Sequence, residues 1–198
     1  MDRLPVVWHE AYEVDLGEHV YPTAKYRLVR DRLEEEGLLD RVRLLRPDPA
    51  PRGDLERVHR ADYLRKIREG DFTRQEELRL EVPFSAELRR AMRLACGGTT
   101  LAARRALDAG LAVHLGGGFH HAFADHGEGF CLLNDSAVAL RALLAEGRIG
   151  RAAVVDCDVH HGNGTARIFA DAPEVFTLSL HQERLYPARK PPSDLDVG

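Results

Sequence analysis

The 198-residue chain has little cysteine: three residues, Cys96, Cys131 and Cys157, none of them in a CxxC pair. An odd number without that spacing excludes a disulfide framework and a thiolate zinc site, and leaves all three as small residues for a buried interior. The chain also lacks an excess of basic charge. Its 28 basic and 32 acidic residues give a formal net charge of −4, so nothing draws it to a phosphate backbone, and nucleic acid is not an expected direct partner. No apolar run reaches the ~18 residues of a bilayer span, and Met1-Asp2-Arg3-Leu4-Pro5 has neither the basic nor the apolar region of a signal peptide. A cytoplasmic protein without a membrane partner is expected. Internal repeats and low-complexity tracts are lacking too.

With 44% hydrophobic residues, the length fits one domain, 1–198, with a sizeable core. Pro5 to Trp8 reads as a first strand and Thr23 to Glu36 as a helix stopped by Gly37. Leu44 to Gly53 is rich in proline and predicts irregular backbone, whereas Leu55 to Glu69 resumes a helical pattern. The charged stretch Asp71 to Glu81 reads as a solvated loop or helix face. Ser85 caps a helix to Cys96, Gly97-Gly98 interrupts it, and Thr99 to Leu107 continues it up to a stop at Gly110. Strands near Leu111 to Leu115, Ala152 to Cys157 and Val175 to Leu180 then alternate with helices near Asp135 to Glu146 and Thr165 to Phe169. That order predicts an α/β fold, a parallel sheet flanked by helices on both faces, with ligands gathering at the carboxyl ends of its strands.

Seven of the ten histidines fall between positions 114 and 181, at or after those strands. In Val155-Asp156-Cys157-Asp158-Val159-His160-His161-Gly162-Asn163-Gly164, extended backbone sends alternate residues to one side, so Asp156, Asp158 and His160 share a pocket and Cys157 faces away. A carboxylate and an imidazole two residues apart can hold one divalent ion, and an oxygen and nitrogen set without sulfur suits catalytic zinc or iron. A helix cap and turn would account for Asp158, Asn163 and Gly164, but for neither His160 nor the second aspartate. In Gly116-Gly117-Gly118-Phe119-His120-His121-Ala122, glycines permit tight turns that present two imidazoles for proton transfer, although such a run in isolation can equally be a flexible loop. Its place after a strand joins it to the first cluster.

Together with His59-Arg60-Ala61-Asp62-Tyr63, Gly129-Phe130-Cys131-Leu132-Leu133-Asn134-Asp135 and Leu178-Ser179-Leu180-His181, these motifs resemble the histone deacetylase family over nearly the whole chain. Tyr21-Pro22-Thr23-Ala24-Lys25-Tyr26 and Asn163 are most similar to its class IV branch and bacterial relatives. The resemblance implies the three-layer α/β/α arginase/deacetylase fold and a zinc-dependent hydrolase that removes an acetyl group from lysine or a related amine. By it, Asp158 and His160 are zinc ligands, and His121 is the general base and acid with His120 beside it. Asp156 supports His120, Asn163 supports His121, and Gly129 and Phe130 line an acyl-lysine channel. Structural potassium is implied at Asp156, Asp158, His160, Ser179 and Leu180, and structural roles at His59, Asp62 and Tyr63.

The family's third ligand, an aspartate, and its carbonyl-polarising tyrosine match nothing before Gly198. Asp194, Asp196 and Tyr186 stand in no matching motif. A domain whose C-terminal strands are missing is therefore expected, and an inactive fragment or metal-poor acyl-lysine-binding module is the alternative. A two-metal arginase-like ureohydrolase would require more ligands than His160 and His161 supply.

Overall fold

The computed structural model describes residues 3–198. Its strands pair in parallel throughout, in two three-stranded sheets. The first has β1 (Leu4–Val7) between β2 (Val42–Leu45) and β3 (Val113–His114); the second runs β4 (Ala152–Asp156), β5 (Val175–Leu180), β6 (Leu195–Val197). The strand expected at the start is in place. β2 falls partly where proline suggested irregular chain: its four residues pair with β1 from Leu4 against Val42 to Val7 against Leu45 before the prolines begin.

Parallel neighbours need crossovers, and helices supply them. α1 (Lys25–Glu35), α2 (Arg52–Glu56), α3 (Ala61–Glu69), α4 (Arg74–Leu80) and α5 (Ala86–Ala109) precede β3; α6 (Asp135–Ala145) precedes β4, and α7 (Asn163–Phe169) links β4 to β5. The helical pattern over 55–69 is broken because His59 turns inward, where its ring accepts from the Asn134 N–H at 3.2 Å and donates to the Phe123 carbonyl at 3.0 Å. In the charged stretch, Thr73 and Glu76 form a capping box for α4, and Leu80 is buried.

α5 runs unbroken through Gly97 and Gly98. The glycines serve close packing: a Cβ at Gly97 would stand 1.9 Å from the Asp48 carbonyl oxygen, and one at Gly98 would stand 2.4 Å from both His114 Nε2 and the Tyr12 hydroxyl. Leu88, Met92, Leu94 and Ala95 of this helix build the main core with Tyr12, Tyr26, Tyr63, Leu132 and Leu133. Val6 and Val7, neighbours on opposite faces of β1, are both buried, so the first sheet is covered on both sides.

The second sheet differs. One face sets Val175, Thr177 and Ser179 in the interior, while on the other Val155 is 64% and Phe176 47% exposed, with Leu180, Leu195 and Val197 beside them. Helices therefore cover one face of that sheet among the described residues. Cys96 and Cys131 are buried as expected, but Cys157 is exposed because it points to the open face. No helix among the described residues is long and apolar enough to cross a membrane.

Candidate active site at the strand ends

The glycine-rich loop after β3 is fixed by Asp135, the first residue of α6. Its buried carboxylate accepts from the Gly118 N–H at 3.1 Å and the Phe119 N–H at 2.7 Å, and takes the Thr99 hydroxyl as well. Gly118 holds a φ of 97°, which a side chain would resist. Asn134, fully buried, caps α6 through Ala137 and donates to the Ala122 carbonyl and the Thr165 hydroxyl, tying this loop to α7. Neither Asn134 nor Asp135 was singled out from sequence as a loop anchor. The signal that could have found them is a pair of polar residues opening an apolar helix directly after the Gly-Phe-Cys motif.

Two histidines with two different partners result. His120 Nδ1 meets Asp156 Oδ2 at 2.6 Å, and His121 Nδ1 meets the Asn163 amide oxygen at 2.7 Å. The two rings lie 4.1 Å apart between centroids. Burial, followed by the neighbouring His120, pushes the His121 imidazole down to about 4, against the pull of Asn163. Burial would raise the Asp156 carboxyl, but the hydrogen bond and charge of His120, with the Asp158 N–H, hold it below its ordinary range.

Asp158 and His160 stand on the open side. Asp158 Oδ1 is 3.2 Å from His160 Nδ1 and 4.0 Å from His120 Nε2. An exposed carboxylate and imidazole with adjacent donor atoms suit a divalent ion, so the donor chemistry fits zinc or iron as far as two ligands go. Three donors gather elsewhere: among the described residues, His161, His181 and Asp196 bring one ligand atom each to within 4.8 Å of one another. His161 Nε2 lies 3.2 Å from Asp196, and His181 Nδ1 lies 3.0 Å from the Ser179 hydroxyl. Asp194 takes the Thr177 N–H and hydroxyl at 2.7 and 2.9 Å, a role in holding β6 to β5. Of the residues expected around potassium, Asp156 and Ser179 are neighbours in the β4–β5 register and Leu180 follows Ser179.

Tyr186, which stands in no matching motif, and Glu128 also reach the site. Tyr186, from the loop after β5, sets its ring edge-on against His121 at 5.0 Å and against His160 at 5.9 Å. Burial and the nearby Glu128 charge push its phenol up. Glu128 accepts from the Asn163 amide nitrogen at 2.7 Å. No local pattern marks Tyr186, whereas Glu128 immediately precedes the Gly129-Phe130 pair. Gly129 cannot bear a side chain, because its Cβ would meet His121 Cδ2 at 2.8 Å and the Tyr186 hydroxyl at 2.9 Å. Phe130 adopts a left-handed φ of 69°, held by its N–H to the Leu80 carbonyl at 2.8 Å, and stacks on Tyr21. His59 and Tyr63 are buried and Tyr63 donates to the Leu132 carbonyl at 2.7 Å, whereas Asp62 is an exposed partner of Arg60.

Parallel strands whose carboxyl ends carry paired histidines, a carboxylate partner and an open Asp/His pair define an α/β domain with a polar site where ligands gather in such sheets. The chain belongs to the histone deacetylase family: the histone deacetylase domain matches residues 19–197. It is 43% identical over 195 residues to an uncharacterised protein of Picosynechococcus, covering 98% of this chain and 65% of that one. It is 32% identical to histone deacetylase 8 of Xenopus tropicalis, covering 98% and 56%. The crystal structure of the HDA15 HD domain superposes with a TM-score of 0.75 at 27% identity, over 95% of this chain and 56% of that one. The chain thus spans between about half and two thirds of the length of these relatives.

Proposed function

We propose that the protein is a metal-dependent amidohydrolase that removes an acetyl group from a lysine side chain or a related small amine in the cytoplasm. The observation that carries this reading is the pair of adjacent imidazoles, each with its Nδ1 committed to a side-chain partner, beside the open Asp158/His160 pair.

Asp158 and His160 would hold zinc or iron, which when bound supplies a Lewis acid for the acyl carbonyl and acidifies water. The chain's own residues do the rest. His121, neutral at physiological pH, has Nε2 free to take a proton from the attacking water and return it to the departing amine. His120, paired with Asp156 at 2.6 Å, stands beside it as an electrostatic partner. Gly129, with no side chain, and Phe130, with its fixed backbone, would line the channel for the acyl-lysine stem. Potassium would sit at Asp156, Ser179 and the backbone of Asp158, His160 and Leu180, neutralising the strand ends. Support comes from the family membership and from relatives whose names state deacetylase activity.

The alternative, a metal-poor acyl-lysine-binding module, draws on the finding that no third donor accompanies Asp158 and His160 in a group of three among the described residues. Metal content and acetate release separate the two. Zinc retained with hydrolysis of an acetyl-lysine peptide supports the enzyme, and binding of that peptide without hydrolysis and with little zinc retained supports the module. In the enzyme, Asp158→Ala and His160→Ala each lower zinc occupancy strongly.

A further inference from the structure

We propose that Glu128 is a positioning residue that sets the tautomer of His121 through the side-chain amide of Asn163. The proposal deepens the reading of His121 as the proton-transfer group.

The two histidines pose different problems. His120 faces a carboxylate, which can only accept, so its Nδ1 must carry a proton. His121 faces an amide, which presents a donor or an acceptor depending on which way it is turned. With the oxygen toward His121, Nδ1 carries the proton and Nε2 keeps its lone pair. Turned over, the amide would offer its NH2 to Nδ1, which would then have to accept, and the proton would move to Nε2. A base needs the first arrangement. Asn163 and His121 alone do not choose it.

Glu128 makes the choice. Its Oε1 lies 2.7 Å from Asn163 Nδ2, and an ionised carboxylate accepts only, so the NH2 must face it and the carbonyl oxygen must face His121. Asn163 is 1% exposed, so water cannot stand in for either partner. Glu128 is itself held. Its backbone exchanges hydrogen bonds with Cys131 at 3.1 and 2.9 Å, and its second oxygen lies 3.7 Å from His126 Nε2. Burial works against ionisation, but contact with His126 and Asn163 outweighs it and keeps the carboxyl below its usual range. His126 in turn is fixed by Asp125, whose Oδ1 is 2.7 Å from its Nδ1. The line therefore runs His121, Asn163, Glu128, His126, Asp125. Its central amide has one allowed orientation.

The test is nitrogen NMR on protein labelled with 15N-histidine, at neutral pH and without added metal or substrate, with His121→Gln used to assign the His121 signals. Wild type is expected to show the Nδ1–H tautomer. Glu128→Gln, whose amide can turn either group toward Asn163, loosens that preference. Glu128→Leu shifts the tautomer ratio toward Nε2–H by about tenfold, the equilibrium effect of losing one charge-assisted hydrogen bond. Asn163→Asp with Glu128→Leu restores Nδ1–H, because a carboxylate at 163 needs no orienting group. An Nε2–H tautomer in wild type, or an unchanged ratio in Glu128→Leu, overturns the proposal. If Glu128→Leu does not fold, Glu128→Gln decides: a ratio shifted toward Nε2–H supports the proposal and an unchanged ratio refutes it. None of these readings requires turnover, so loss of the deacetylase reading would appear separately, as intact tautomers without acetate release.

Discussion

The two sheets are built on opposite principles. Around β1, apolar side chains fill both faces, and α5 lays Leu88, Met92, Leu94 and Ala95 against tyrosines and leucines from across the chain. Around β5, the inward positions are Thr177 and Ser179, the small core beneath has Ala137, Phe169, Ala172 and Val175, and the other face is open. The first region is held by apolar burial. The second, which carries the candidate site, is held largely by directed hydrogen bonds, donated by Asn134 and Asn163 and accepted by Asp135 and Asp194. That division suits a site: apolar packing supplies stability without direction, whereas hydrogen bonds fix the orientation that proton transfer requires.

If the comparison is right, truncation should be costly in one region and nearly silent on the open face of the other. Leu88→Ala, at 1% exposure in the main core, is expected to lower unfolding free energy by about 3 kcal/mol in urea titrations. Acid should blur the contrast, because buried neutral histidines lie in both regions. His59 is held near 4 by burial against an ordinary value of 6.5, so its contribution is complete above 6.5 and is lost as pH falls toward about 4. His114 and His121 shift in the same direction and window. Stability should therefore rise with pH across that interval, by an amount on the order of 3 kcal/mol from His59 alone. A flat stability profile there would contradict the burial argument.

A smaller effect probes the polar region directly. Asn134→Ala removes a helix cap and leaves the Ala122 carbonyl without its donor, and should cost about 2 kcal/mol, more than a surface cap would. Smallest of all, Phe176→Ala and Val155→Ala on the open face should each fall within about 0.5 kcal/mol of wild type. A loss there comparable to that of Leu88→Ala would mean that the open face is covered in solution.

Much of this division was legible in the sequence, and its gaps have physical causes. Apolar runs bounded by turn residues placed β1, β3, β4 and β5, because short buried parallel strands need little else. Alternation along extended chain predicted Asp156, Asp158 and His160 in one pocket, whereas β4 ends at Asp156 and Asp158 and His160 follow it in bends. Gly97-Gly98 misled because glycine signals either a break or a close approach, and only the three-dimensional neighbours Asp48 and Tyr12 show the latter. β2 was obscured by the prolines that follow it. Tyr186 and Glu128 joined the site through packing and hydrogen bonding across the chain, 65 and 35 residues from their partners His121 and Asn163, a relation no local pattern records.

The account turns on His121 as a proton carrier that does not ligate metal. Acetate release from an acetyl-lysine peptide by zinc-supplied protein, compared between wild type and His121→Ala with zinc content measured on the same samples, tests it most directly. The account predicts a fall in kcat of about 10²–10⁴-fold with zinc content nearly unchanged. Equal loss of zinc and activity would make His121 a ligand, and undiminished turnover would place the proton transfer elsewhere.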